Sequence, residues 1–178
     1  MPADNLIEDA RFRATRAVTI DAPPEAAWPW LVQIGCLRAG WYTNDLLDNL
    51  GHPSAQEIVP ELQDLQIGQC VPMSPTRSEK TSFKVTAFEP NGSLVWAQPL
   101  STWVWTLTPL SDRQTRLVTR LRVRYEWRHP MSALLSMVLI EFGDFPMMRR
   151  MLLGIKRRAE ATGHRLPNLQ PSREGGRP

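Results

Sequence analysis

The sequence predicts an α+β domain, an antiparallel sheet with helices at its ends, and three observations predict it. Thr115 to Trp127 alternates throughout: Leu117, Thr119, Leu121, Val123, Tyr125 and Trp127 share one parity, and Arg116, Arg120, Arg122, Arg124 and Glu126 the other. Such a period of two needs one face buried and one face in water. Near the C-terminus, Phe145, Met148, Leu152, Ile155 and Ala159 form an apolar stripe at helical spacing. The strand signals also cluster together, with helix signals before and after them, which is the order of an α+β chain.

Taken in order, residues 1–13 are a loose lead-in, and 14–21 alternate as a strand with Val18 and Ile20 on one face. Asp21-Ala-Pro-Pro-Glu25 starts a helix, because proline is accepted in the first turn and Glu25 suits the positive N-terminus. Pro29 keeps this helix short, to about Gln33, and Gly35 ends it. Thr43 or Asn44 caps a second short helix over 45–50. A connection through Pro53 and Pro60 leads to a short strand over 69–73. Phe83, Val85 and Ala87 mark the next strand, which Glu89-Pro-Asn-Gly92 turns back into 94–97. Trp103, Trp105 and Leu107 alternate with Val104, Thr106 and Thr108, and residues 109–114 turn into the long strand. Residues 131–142 are apolar all round, a buried or lid-like helix. Gly143 and Pro146 predict a break, with Asp144 capping a separate helix over 145–162 that Gly163 ends. One domain therefore spans 14–163, and 164–178 form a disordered tail.

The 178 residues fit one domain, and two cysteines exclude a disulfide-built scaffold. Cys36 and Cys70 are expected as free thiols with no metal site, and no Gly-rich phosphate loop or other cofactor signature is present, so no cofactor is expected. His52, His129 and His164 are scattered and support no hydrolytic triad. The net charge of +3 is too small to point to nucleic acid. The basic residues are 18 Arg to 3 Lys, a bias that fits a GC-rich genome, and Arg116, Arg120, Arg122 and Arg124, with Arg149, Arg150, Lys156, Arg157 and Arg158, are expected on solvated faces. No secretory pattern and no run of about 20 apolar residues occurs, so a cytoplasmic protein is expected.

A sheet wrapped around a long helix leaves space for a small molecule. Trp103, Trp105, Tyr125 and Trp127 fall on the inward parity and are candidates to line it, with Phe142, Phe145, Met148 and Leu152 from the helical side. Trp41 and Tyr42 follow Gly40 in a loop at the expected mouth. Candidates for acid–base work are Glu141, which closes an apolar helix, Asp45, three residues from Asp48, and the Tyr42 hydroxyl.

Three stretches, 18–35 (VTIDAPPEAAWPWLVQIG), 38–73 (from RAGWYTNDLLDNLG to IVPELQDLQIGQCVPM) and 145–160 (FPMMRRMLLGIKRRAE), resemble the START-like helix-grip superfamily, the SRPBCC or polyketide cyclase/dehydrase type. They are most similar to a bacterial subgroup whose members carry the family's name rather than that of an activity. The resemblance implies a curved antiparallel sheet, a C-terminal helix across it and an apolar cavity between them. Members bind lipids, sterols or plant hormones, cyclise polyketides, or serve as oxygenase subunits, and no catalytic set carries over to these residues. The expected function is binding of a small lipid-like, polyketide-like or aromatic molecule. The alternatives are a cyclase, dehydratase or isomerase-type enzyme acting in the same cavity, and an interaction module using the arginine face. The oligomeric state stays open.

Overall fold

A computed structural model describes residues 10–43, 45, 51–75, 81–124 and 130–164, with 130–145 described as backbone. Six strands form one antiparallel sheet in the order β1-β6-β5-β4-β3-β2. The strands are β1 (Phe12–Ile20), β2 (Cys70–Pro72), β3 (Ser82–Glu89), β4 (Ser93–Gln98), β5 (Ser101–Ser111) and β6 (Gln114–Val123). The helices are α1 (Pro24–Val32) and α2 (Pro130–Gly163), and a 3₁₀ turn covers Pro60–Leu62.

Alternation sets the two faces. Register aligns Trp96 with Trp103, Trp105 with Leu94 and Thr119, and Leu107 with Leu117, so these residues share the inner face. Val71, Phe83 and Val85 extend that face through β2 and β3, and Val18 and Ile20 extend it through β1. Asn91 takes the left-handed conformation in the β3–β4 turn, a position that Asn accepts at low cost. Helix α1 buries Ala26, Ala27, Trp30, Leu31 and Val32. Met148, Met151, Leu152, Ile155 and Ala159 of α2 join the same core. Cys36 is buried and Cys70 exposed, both as free thiols.

Three expectations change. The C-terminal region is one 34-residue helix with Pro146 inside it, rather than two helices broken near Gly143. A proline removes one backbone donor and crowds one carbonyl, which an otherwise strong helix absorbs as a local distortion. The Asp144 cap therefore has no helix start to serve. Arg122 is 8% exposed instead of solvated, because β6 is an interior strand and register sets Arg122 between Arg13 and Thr102. Arg158 is also drawn in and bonded, as described below. The expected lead-in (apart from 10–13), the tail from 165, the helix over 46–50 and residues 125–129 lie outside the described residues. Among the described residues, no helix is long and apolar enough to cross a membrane.

Lys156 ties α2 to the end of β1. Its Nζ donates to the Thr19 carbonyl at 2.8 Å, to Asp21 at 3.1 Å and to Glu160. Asp21 N–H donates to Glu160 Oε1 at 2.8 Å. The hydrogen bond from Lys156, then that from Gln114, holds the Asp21 carboxyl below its usual range. A carboxyl depressed in the folded state adds stability at neutral pH that disappears as pH falls through its folded value. The stability gap between the native chain and Asp21→Asn is therefore expected to close below about pH 4. Urea unfolding between pH 3 and 6 measures it, and a gap that stays constant would refute the ionic tie.

Candidate functional site

The loop between α1 and β2 carries two aromatic residues in different directions. Gly35 and Gly40 exchange backbone hydrogen bonds at 3.2 Å each way, closing a tight loop. Gly40 has φ +81°, and a side chain there would run into Ser54. The chain leaves this loop at Trp41 and Tyr42.

Trp41 goes to the sheet. Its ring lies parallel to Trp103 with centroids 6.1 Å apart. Trp103 stacks in turn on Trp105 at 5.0 Å. Trp96 meets both edge-on, at 5.6 Å and 5.9 Å, and Phe83 touches Trp96 and Trp103 at 6.4 Å and 6.0 Å. The result is a wall of five rings on the inner face. Trp103 Nε1 donates to Thr119 Oγ1 at 2.8 Å.

Tyr42 goes the other way, between α1 and α2. It holds a left-handed φ of +58°, a strained state for a bulky residue that surrounding bonds must maintain. Its N–H donates to Ser54 Oγ at 3.2 Å, and Ser54 Oγ donates to Asp45 Oδ1. Its hydroxyl donates to the Trp30 carbonyl at 3.2 Å and accepts from Gln33 Nε2 at 3.0 Å. Gln33 is 0% exposed. It also donates to the Glu57 carbonyl and accepts from Val59 N–H and Gln63 Nε2, at 3.2, 3.0 and 3.2 Å. Burial pushes the Tyr42 phenol above its ordinary range, outweighing the hydrogen bond from Gln33 and the positive charges of Arg158 and Arg38.

Arg158 covers this cluster. Its guanidinium lies 4.4 Å from the Tyr42 ring centre and 6.0 Å from that of Trp30. It donates to the Ala55 carbonyl at 2.9 Å and the Gly154 carbonyl at 3.3 Å. Burial lowers its pKa, with Tyr42 and Asp45 opposing. Beside it an open cleft of about 950 Å³ is lined by Tyr42, Asp45, Ser54, Arg157 and Arg158 among others. A neighbouring hollow of about 720 Å³ reaches Arg150, Leu153 and Lys156. The molecule thus has an aromatic wall on the inner face of the sheet and, apart from it, a charged outer cleft lined by Trp30 of α1, by Tyr42 and Asp45, and by Arg157 and Arg158 of α2.

Of the residues expected at a ligand site, Trp41, Trp103 and Trp105 meet in the wall. Met148 and Leu152 are buried in the same core. Tyr42 and Asp45 belong to the polar cleft, with the Tyr42 hydroxyl engaged on both sides and Asp45 bonded to Ser54. Tyr125, Trp127 and Asp48 lie outside the described residues, as do the side chains of Glu141, Phe142 and Phe145. Sequence reasoning missed Trp96, Phe83, Gln33 and Arg158. Trp96 was open to discovery, since it shares the parity of Leu94 after a clear turn and a short hairpin sets it opposite Trp103. Gln33 and Arg158 gave no comparable signal.

No family model and no curated protein matches the chain. Solved structures do resemble it. A Thermobifida fusca protein is 14% identical over 84% of this chain and 94% of its own, with a TM-score of 0.53. A Chromobacterium violaceum protein is 12% identical over 84% of this chain and 98% of its own, with a TM-score of 0.51. A Polyketide_cyc-like protein of Corynebacterium glutamicum is 16% identical over 92% of this chain and 97% of its own, with a TM-score of 0.41. At such identities, likeness is a matter of fold and carries no activity. With one antiparallel sheet, an early short helix and a long C-terminal helix, the chain has a helix-grip architecture.

Proposed function

We propose that this protein binds a small apolar or aromatic molecule between the inner face of its sheet and α2. The observation that carries this reading is the wall of Trp41, Phe83, Trp96, Trp103 and Trp105. Ligand sites are lined mainly by apolar and aromatic side chains with a few polar groups, and stacked or edge-on rings present faces that a flat molecule matches. Trp41 arrives from a loop rather than a strand and stacks on Trp103, so the wall joins the loop to the sheet. Met148, Met151 and Leu152 supply adaptable apolar contact from α2.

The test is an equilibrium titration of the native chain with fluorene, read by tryptophan fluorescence. Saturable quenching at one equivalent is expected. Trp41→Leu, which removes one stacking face, is expected to weaken binding about 3- to 10-fold. Absence of binding by the folded native chain would overturn the reading.

A further inference from the structure

The outer cleft and the hollow beside it share Tyr42, Thr43, Asp45 and Arg157, so they form one trough along α2. Its cationic lining is Arg150, Lys156, Arg157 and Arg158, against the carboxylates of Asp45 and Glu57. Several of these groups are already engaged. Lys156 is held by Asp21, Glu160 and the Thr19 carbonyl, and Asp45 takes the Ser54 hydroxyl. Arg158 uses Nε and Nη1 on the Ala55 and Gly154 carbonyls, and its Nη2 makes no hydrogen bond among the described residues. Arg150 and Arg157 are exposed, and among the described residues they make no hydrogen bond and no ion pair. Helix geometry explains this. The residues one turn from Arg150 are Pro146, Met147, Leu153 and Gly154, all uncharged. Those one turn from Arg157 include one carboxylate, Glu160, which Lys156 engages. Arg150 and Arg157 stand two turns apart, on one face of α2. Burial and then the charge of Arg157 lower the Arg158 pKa, with Tyr42 and Asp45 opposing. Like charges thus converge on a concave site, which concentrates their field on whatever enters it.

We propose that this trough is a second binding site, for a phosphate monoester whose phosphate is held by Arg157 and Arg150 with Arg158 Nη2 beside it. A guanidinium is a planar fork of donors that matches phosphate oxygens. A phosphate monoester brings three such oxygens and about two negative charges, enough for more than one arginine. Trp30, Ile58 and Leu153 give the organic part of the molecule apolar wall to lie against. None of the five rings of the inner wall lines the trough, so the proposal stands apart from the binding reading above.

Phenyl phosphate is titrated into the native chain at constant ionic strength, with phenol as the uncharged control, and ¹⁵N spectra follow the Trp30 indole and the arginine Nε–H groups. The Trp30 and Arg157 resonances are expected to shift saturably with phenyl phosphate and not with phenol, while the wall indoles stay in place. Arg157→Gln is expected to weaken binding about tenfold and Arg150→Gln about threefold. Asp45→Asn keeps an acceptor for Ser54 and removes a repelling charge, so it is expected to tighten binding about threefold. Arg113→Gln, in the exposed β5–β6 turn, removes the same charge as Arg157→Gln away from the trough and is expected to leave the affinity unchanged. Equal weakening by Arg113→Gln would show attraction to net charge alone and overturn the site. Co-sedimentation with phosphatidylglycerol vesicles separates the other source of a phosphate group. Vesicle binding without phenyl phosphate binding would make α2 a membrane-facing surface and overturn the small-molecule site. Binding to neither, or shifts at the wall indoles in place of Trp30, would overturn it too, the latter leaving the binding reading intact.

Discussion

Gly154→Ala is expected to destabilise the fold by about 3 kcal/mol and to lower Tm by roughly 6–12 °C. In an exposed helix interior the same change is favourable by about 1 kcal/mol, so even the sign is informative. At Gly154 the added methyl would overlap the Tyr42 carbonyl oxygen and lie 2.7 Å from Tyr42 Cβ. Tyr42 cannot yield easily. Its φ is +58°, its N–H is tied to Ser54, and its hydroxyl to Trp30 and Gln33. Relief therefore means pulling α2 away from the loop that also delivers Trp41 to the aromatic wall. Thermal unfolding followed by circular dichroism measures the effect, and a Tm equal to or above that of the native chain would show that α2 does not approach Tyr42 so closely.

Gln33→Leu is expected to cost about 3 kcal/mol, although the two side chains have similar volumes. The change leaves the Val59 N–H without the Gln33 acceptor, and it leaves the Glu57 carbonyl and the Tyr42 hydroxyl without their Gln33 donor. Orphaning buried polar groups costs more than the net value of the bonds themselves. Gln33→Glu separates donor from acceptor. Its oxygens still serve Val59 and Gln63, but an ionised carboxylate offers no proton to Tyr42 or Glu57. Burial raises the pKa of such a group, so stability in this variant is expected to be highest below about pH 4.3 and to fall as pH rises above it. Denaturant unfolding at pH 4 and pH 7 checks both variants. A Gln33→Leu chain within about 0.5 kcal/mol of the native one would remove the hub role assigned to Gln33.

The sequence carried the sheet because strands write themselves locally. Leu117, Thr119 and Leu121 against Arg116 and Arg120 need only a period of two, and Pro90-Asn91-Gly92 needs only turn chemistry. Trp103 and Trp105 were placed by the same parity. Other features depend on partners far along the chain. Whether α2 breaks at Pro146 depends on what the helix packs against, and local propensity argued for a break that is absent. Gln33 is a buried hub because residues 42, 57, 59 and 63 converge on it. Arg158 looks like any helix-surface arginine until Tyr42 and the Ala55 carbonyl arrive beneath it. Trp41 and Tyr42, adjacent in sequence, were expected at one mouth. The left-handed turn at Tyr42 sends them to opposite sides, which no periodicity foretells.

The seven tryptophans allow the binding reading to be located as well as detected. Trp41, Trp96, Trp103 and Trp105 sit in the wall, whereas Trp30 lines the outer cleft, its Nε1 bonded to Thr162 Oγ1 at 3.1 Å. The most direct measurement is an ¹⁵N-indole spectrum of the native chain during titration with fluorene, each resonance assigned through its Trp→Phe variant. Ligand bound between sheet and α2 shifts the four wall resonances together and leaves that of Trp30 in place. Movement of Trp30 alone, or no movement at saturating probe, would contradict binding at the wall.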